Sequence, residues 1–335
     1  MRRHPGPVRR CPGEAARGGG VGVGHDRALA PPPVASPLLR FADEVGDFGP
    51  VTVAGGRTQW SVGGEPLPTS RLLRAPAGVL AVEPAEMTVR AFAGTTVAEL
   101  AAALEDVGQE ANLPDPGPGA TVGGVLAVGH SDLRRLGRGP LREVLLQVRY
   151  VSAEGVVITG GGPTVKNVTG FDLCRLLVGS LGTLGLMGEV ILRTRPAPAV
   201  CRWLAGDGDP FALRDALFRP AAVLWDGSRT WCCLEGYGVD VEAQAAVAAR
   251  LGVGEEVAGP PPRPPYRRSL RPRELRELRS EGPSFVAEVG VGTVHMAEPV
   301  DPTSLDPVVS GLHASLKAAL DPSGRLNPGR DPAAR

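Results

Sequence analysis

Three glycine-rich loops supply the residue types best suited to holding a phosphorylated ligand through backbone amides. The first, 54–59 (AGGRTQ), follows an apolar strand pattern, the second is 121–124 (TVGG), and the third lies within 178–190 (VGSLGTLGLMGEV). Only small residues with permissive backbone torsions let several N–H groups converge on phosphate oxygens. Arg57 and Thr58 add a positive charge and a hydroxyl to the first loop. Because a mononucleotide needs only one such loop, three loops far apart in the sequence indicate one long ligand.

In the third loop, glycine recurs at every third position, at Gly179, Gly182, Gly185 and Gly188. A collagen triple helix needs this period sustained with proline between the glycines, and here it stops without one. A dinucleotide fingerprint needs the order G-x-G-x-x-G between a strand and a helix, and these glycines do not have it. The interpretation that remains is a tight backbone wall against a flat ligand.

The composition argues against several classes of protein. The chain has 335 residues with 36 basic and 36 acidic side chains, so no net field favours nucleic acid or an anionic membrane. No apolar run approaches the ~20 residues of a membrane-spanning helix. The five cysteines lack the spacing of a zinc or iron–sulfur site, which predicts no metal and reduced thiols. The basic start MRRHPGPVRR continues into glycine and proline rather than an apolar segment, so we expect a cytoplasmic protein.

The elements that must position the loops are strands and helices mixed without regular alternation, which predicts an α+β fold rather than a Rossmann fold. Thr96 and Glu99 have the spacing of a capping box, and Gly108 ends the helix they begin. Two strands joined by 153–155 form a hairpin. A further strand follows the third loop and is expected to end before Pro196.

Three stretches, taken in sequence order, resemble the FAD-binding domain of the vanillyl-alcohol oxidase and p-cresol methylhydroxylase (PCMH) superfamily. They are GGRTQWSVGG, LPDPGPGATVGG and GGPTVKNVTGFDLCRLLVGSLGTLGLMGEVILRTRP. Within that superfamily, VKNVTGFDL, GSLGTLG and the later DPSGRLNPGR are most similar to the FAD-binding subunit of glycolate oxidase. Leu181 stands where related D-lactate dehydrogenases tend to carry Glu, which favours the same branch. The resemblance implies a two-subdomain PCMH-type FAD-binding domain with a small α+β C-terminal cap domain.

The resemblance and the composition together predict four segments. Residues 1–34 are expected to be disordered or to precede the native start. Residues 35–198 form the FAD-binding domain, 199–320 the cap domain, and 321–335 a segment that returns to the FAD-binding domain.

The resemblance also implies which residues meet FAD. The first loop would wrap the pyrophosphate, while the second and third would lie along the rest of the cofactor. No His or Cys lies in AGGRTQ, so noncovalent binding is expected, with His130 as an alternative covalent anchor. Asp172 is either a helix cap or a cofactor contact. The implied FAD-binding residues are Ala54, Gly55, Gly56, Arg57, Thr58, Gln59, Thr121, Gly123, Gly124, Gly129, His130, Lys166, Gly185, Leu186 and Met187.

For catalysis, flavin supplies the hydride chemistry, and the protein must add a base and a cation for the substrate carboxylate. His295 is the candidate base and Arg325 the candidate carboxylate ligand, although a single His on a strand is more often structural. The predicted function is FAD-dependent oxidation of a 2-hydroxy acid such as glycolate or D-lactate. The partners would be flavin or iron–sulfur subunits, which could hold the protein at the membrane periphery. The alternative is a flavin-binding accessory subunit that passes electrons and has no substrate site.

Overall fold

The structure is a computed structural model that describes residues 36–163, 172–278, 284–299 and 306–334. These residues belong to one compact unit. The expectations for residues 1–34 and for Lys166 lie outside the described residues.

Fifteen strands lie in the described ranges. They are β1 (Val51–Val53), β2 (Arg71–Leu73), β3 (Val79–Glu83), β4 (Thr88–Phe92), β5 (Gln109–Ala111), β6 (Leu145–Val151), β7 (Val157–Gly161), β8 (Leu186–Pro196), β9 (Val200–Gly206), β10 (Ala222–Trp225), β11 (Thr230–Gly236), β12 (Val253–Val257), β13 (Tyr266–Ser269), β14 (Phe285–Glu288) and β15 (Thr293–Met296).

Eight α-helices and four short 3-10 turns accompany the strands in the same ranges. The helices are α1 (Pro37–Val45), α2 (Val97–Glu105), α3 (Val122–Val128), α4 (Arg135–Arg138), α5 (Leu173–Leu177), α6 (Pro210–Ala216), α7 (Gly238–Arg250) and α8 (Pro307–Leu320). The 3-10 turns are Pro84–Glu86, Leu141–Glu143, Pro272–Glu277 and Pro332–Ala334.

The strands form three sheets. β1 and β2 are a parallel pair, and an antiparallel sheet has the order β3-β4-β8-β6-β7, with β5 added along the far end of β8. The second large sheet is antiparallel throughout, in the order β12-β9-β11-β10-β14-β15-β13. Helices and strands do not alternate regularly, so the α+β fold class predicted from the sequence is confirmed.

Two local predictions are confirmed, the capping box at the start of α2 and the hairpin of β6 and β7. The Thr96 hydroxyl accepts from the Glu99 amide at 3.1 Å, and the Glu99 carboxylate accepts from the Thr96 amide at 2.9 Å, so the capping box begins α2 as expected. β6 and β7 form the predicted hairpin. The prediction that the strand ends before Pro196 was wrong, since β8 includes this residue opposite Gln109. As the last residue of the strand, a proline costs little of the ladder.

Glycines in β8 and just before it let other elements pack closely. A Cβ at Gly188 would collide with the side chain of Leu38 in α1, and a Cβ at Gly185 would collide with the ring of Tyr150. Both neighbours are buried, so they cannot move aside easily. The three-residue period therefore reflects separate packing contacts rather than a repeat.

The two faces of the seven-stranded sheet have different partners. One face packs against α6 and α7. The other, which we call the inner face, carries Leu224, Cys233 and Val286 and packs against Leu133 between α3 and α4. On this face the Glu235 carboxylate accepts from the buried Arg138 guanidinium at 2.6 Å. The inner face thus looks toward the region around α3.

Candidate functional site

Two contiguous cavities run along the first glycine loop, and we call them together the glycine trough. Both are lined by Gly55, Thr121 and Ala127. One continues along Arg57 to Val62, and the other continues past Gly94 to the start of β8. The trough therefore brings together the first loop, the second loop and part of the third.

The backbone of the first loop is arranged to bind an anion. None of the five amides from Gly55 to Gln59 donates a hydrogen bond to a residue in the described part of the chain. The Ala54 amide is different because it donates to the Leu73 carbonyl at 2.9 Å. Arg57 has a φ of 59°, a left-handed torsion that turns the chain within the loop. A run of unpaired amides with such a turn is a nest for phosphate oxygens.

The glycines of this loop are required by space as well as by torsion. A Cβ at Gly55 would collide with the Thr121 side chain, and a Cβ at Gly56 would collide with the backbone carbonyl of Gly119. The carbonyl is fixed backbone and cannot rotate away. The first loop can therefore lie against the second only if positions 55 and 56 carry no side chain.

The second loop opens α3. The Thr121 hydroxyl accepts from the Gly124 amide at 3.2 Å, and the Gly123 amide donates to the Ala93 carbonyl at 2.7 Å. Gly123 and Gly124 line different parts of the trough. At the other end of α3, Gly129 has a φ of 74° and ends the helix.

Residues 321–330, which we call the late segment, complete the trough. The Asn327 side chain accepts from the Val53 amide at 3.0 Å and donates to the Leu181 carbonyl at 2.7 Å.

Arg330 lines the same cavity as Trp60, and its guanidinium lies 4.7 Å from the ring centre. Arg57 lies 4.8 Å from the same ring. Two cations therefore flank one aromatic side chain at the first loop.

Asp321 holds this late segment in place. Its buried carboxylate accepts from the Arg325 amide at 3.0 Å and the Leu326 amide at 2.8 Å, and it pairs with Lys317. These contacts, with the Lys317 hydrogen bond the largest, outweigh the cost of burial and lower the pKa of Asp321. The carboxylate therefore stays charged when the protein is folded.

A third cavity of about 330 Å³ lies beyond the far end of α3. Gly129 lines it with four arginines from two distant segments, and we call it the arginine cavity. No Asp or Glu is among its lining residues. The guanidinium groups of Arg135, Arg142 and Arg268 make no hydrogen bond or ion pair with any described residue, so their charge is available to a ligand. The arginines are Arg135, Arg142, Arg267 and Arg268.

Comparison with protein families identifies a domain in the chain. Residues 38–161 match the family described as the FAD binding domain. The chain carries an FAD-binding domain. Both the family resemblance and the cofactor predicted from the sequence are thereby confirmed, and the unpaired amides of the first loop fit the pyrophosphate of FAD.

The relatives of the FAD-binding domain include oxidoreductase subunits. The chain is 30% identical to glycolate oxidase subunit GlcE of Escherichia coli over 234 residues, which cover 66% of this chain and 65% of that protein. It is 35% identical to D-lactate dehydrogenase of Archaeoglobus fulgidus over 171 residues, or 48% of this chain and 36% of the relative. Each match spans less than two thirds of the relative's length.

The fold is similar to that of a solved structure of different sequence. Alkyldihydroxyacetonephosphate synthase superposes with a TM-score of 0.61 at 14% identity, covering 87% of this chain and 73% of that one. This likeness supports the PCMH-type architecture predicted from the sequence. Among the described residues, no helix is both long and apolar enough to span a bilayer.

Most of the predicted FAD-binding residues that the structure describes line the glycine trough. Ala54 lines it through atoms other than its amide, which is already used. Gly129 instead lines the arginine cavity, and His130 follows it as a half-buried residue. Asp172 caps α5, since its carboxylate accepts from the Arg175 amide at 3.0 Å. The trough residues from the prediction are Ala54, Gly55, Gly56, Arg57, Thr58, Gln59, Thr121, Gly123, Gly124, Gly185, Leu186 and Met187.

His295 lies on the inner face of the seven-stranded sheet, in β15. Its Nε2 lies 2.8 Å from Oε1 of the buried Glu288. In the strand register, His295 stands directly opposite Arg267, and directly opposite residues share a face. The candidate base therefore neighbours a residue of the arginine cavity, although it does not itself line the cavity.

The structure argues against the role predicted for Arg325. Its buried guanidinium donates to five backbone carbonyls, at distances from 2.7 to 3.0 Å. No donor remains for a carboxylate, because a guanidinium has only five N–H groups. Arg325 instead ties the late segment to the end of α1, to the loop after it and to the turn between β6 and β7. The accepting carbonyls belong to Val45, Gly46, Phe48, Gly49 and Ala153.

The four arginines of the arginine cavity were not predicted from the sequence. They come from the stretches DLRRLGRGPLR and YRRSLRPR, which are separated by more than a hundred residues. The signal available was the local density of arginine in both stretches, which together contain one acidic residue, Asp132. Only the pairing of β13 with β15 and the approach of the inner face to α3 bring the two stretches together.

Proposed function

We propose that this protein oxidises a 2-hydroxy acid of the glycolate or D-lactate type, using the FAD held in the glycine trough. The arginine cavity carries the proposal, because it offers several guanidiniums and no carboxylate close to the cofactor site. A substrate carboxylate would be bound there by charge-assisted hydrogen bonds, for which guanidinium geometry is well suited. The relatives that act on such acids, by their names, support the same substrate class.

FAD, when bound, supplies the hydride acceptor. The remaining chemical need is removal of the hydroxyl proton, and His295 is the proposed base. Glu288 is buried and hydrogen-bonded to the imidazole, so it would orient the ring and stabilise its protonated form. This pairing of a base with an orienting carboxylate is a common arrangement in proton transfer. Arg267, opposite His295 in the register, connects the base to the carboxylate site.

We further propose that the protein works as one subunit of a glycolate-oxidase-like complex. Support comes from two relatives that are named as glycolate oxidase subunits, GlcE of Escherichia coli and GlcD of Bacillus subtilis. The second is 34% identical over 122 residues, or 36% of this chain and 26% of that protein. In such a complex, partner subunits with flavin or iron–sulfur clusters would accept the electrons.

Anaerobic reduction separates this function from the accessory-subunit alternative. Purified protein loaded with FAD is mixed with glycolate or D-lactate in the absence of oxygen, and the flavin absorbance is followed. The proposed function predicts bleaching by at least one of the two acids. A flavin that stays oxidised with both acids, yet is reduced by dithionite, would favour the accessory subunit.

A further inference from the structure

Two cysteines of the inner face lie in contact on neighbouring strands. Cys201 is in β9 and Cys233 is in β11, and their Sγ atoms are 3.6 Å apart. Cys201 stands opposite Glu235 in the register and Cys233 opposite Trp203, so the thiols are diagonal neighbours on one face. Cys201 is exposed while Cys233 is buried. The Cys201 thiol can therefore react with a reagent from solvent, whereas the Cys233 thiol can react only with Cys201.

The charges around the pair favour a thiolate at Cys201. The hydrogen bond with Cys233 lowers the pKa of Cys201 to about 7, and the charges of Arg134 and Arg138 act in the same direction. Glu235 lies 3.8 Å from the Cys201 sulfur and acts in the opposite direction. Its carboxylate is largely neutralised, however, because guanidiniums at 2.6 to 3.2 Å bind it on several sides.

The same surroundings argue against a metal ion, even though Cys201, Cys233 and Glu235 could offer three ligand atoms close together. Three arginines pair with Glu235, and a divalent cation would have to displace or oppose them. A thiolate nucleophile is favoured by neighbouring guanidiniums, whereas a cation is repelled. The cluster is therefore suited to thiol chemistry rather than to metal binding.

We propose that Cys201 and Cys233 are a redox-active thiol pair that small disulfides such as oxidised glutathione convert to an intramolecular disulfide. The Cys201 thiolate attacks one sulfur of the oxidant, forms a mixed disulfide and releases one thiolate. Cys233 then loses its proton and attacks the Cys201 sulfur, which forms the Cys201–Cys233 bond and releases the second thiolate. Two electrons pass from the two cysteines to the oxidant, which ends as two thiols.

Titration with glutathione of the FAD-loaded protein tests the pair. The protein is equilibrated at ratios of oxidised to reduced glutathione from fully reducing to fully oxidising. Free thiols are then alkylated, and the products are identified by intact-mass spectrometry and peptide mapping. The wild-type chain is expected to lose two hydrogens and to yield a peptide linked between Cys201 and Cys233. The matched controls Cys174→Ser and Cys232→Ser should behave in the same way, because both residues are buried and lie outside the pair.

The two single variants separate the roles of the cysteines. Cys233→Ser should keep one glutathione on Cys201, since nothing resolves the mixed disulfide. Cys201→Ser should neither form the bond nor accept glutathione at Cys233. The proposal is overturned if wild-type protein shows no Cys201–Cys233 linkage at any ratio while its flavin spectrum shows it folded, or if Cys201→Ser takes up glutathione at Cys233.

Discussion

The glycine trough runs along α3 as far as Val128, the arginine cavity begins at the next residue, Gly129, and the two use opposite chemistry. The trough presents unpaired backbone amides and needs residues without side chains, as at Gly56. The arginine cavity depends on long charged side chains such as Arg135 and Arg268 from distant segments. A site built from backbone is sensitive to the size of its residues, whereas a site built from guanidiniums is sensitive to their charge. The two sites should therefore fail separately when they are mutated.

The largest expected effect is at the trough. Gly56→Ala places a Cβ against the Gly119 carbonyl, so the first loop must move away from the second and its amides lose their convergence. We expect the variant to purify without FAD and to bind added FAD ~100-fold more weakly on titration. Gly311→Ala in α8 is the control, because a Cβ there meets nothing within 4 Å. Unchanged FAD affinity in Gly56→Ala would remove this loop from the cofactor site.

A smaller effect is expected at the proposed base. His295→Asn should lower the rate of flavin reduction by a 2-hydroxy acid by ~10²–10⁴-fold, the usual contribution of general base catalysis. Its flavin spectrum should stay intact, because His295 lies outside the trough. Stopped-flow measurement of flavin reduction by glycolate or D-lactate checks the role. A variant that reduces its flavin at the wild-type rate would show that His295 is structural.

Loss of charge in the arginine cavity should act on the substrate alone. Arg268→Ala and Arg135→Ala each remove a charge-assisted hydrogen bond, worth ~1.5–3 kcal/mol, and should weaken carboxylate binding by ~10–100-fold. FAD affinity should not change. Arg263→Ala is the control, an exposed arginine outside the cavity. If the cavity variants lost FAD instead, the two sites would have to be treated as one.

The smallest effect concerns the stability of the segment that completes the trough. Asp321→Asn leaves two backbone amides and Lys317 without a charged acceptor, which should lower the free energy of unfolding by ~1–3 kcal/mol. Because folding lowers the pKa of Asp321, its stabilisation is present above the ordinary aspartate value and is lost as the pH falls through the lower, folded value. Below about pH 4, the difference in the free energy of unfolding between variant and wild type, measured by urea denaturation, should therefore become smaller. A difference in the free energy of unfolding that stays constant with pH would contradict the negative charge assigned to Asp321.

The comparison between the two sites also explains what the sequence could predict. The trough follows from local signals, since glycines after a strand at Gly55 and a capping residue at Thr121 mark backbone sites directly. The arginine cavity and the pairing of His295 with Glu288 arise from strand register and from the meeting of two sheets, which no local pattern records. Arg325 illustrates the same limit, because its five carbonyl partners belong to residues far away in the sequence.

The position of Asn327 has a consequence for how the cofactor is acquired during synthesis. Asn327 forms a hydrogen bond with Val53, which lies 274 positions earlier, so the wall beside the first loop stays open until residue 327 has emerged from the ribosome. FAD would therefore meet a complete trough only after the segment that contains Asn327 has folded against the first loop. Supply of the cofactor during expression should then determine how much of the released protein is filled rather than how much is made.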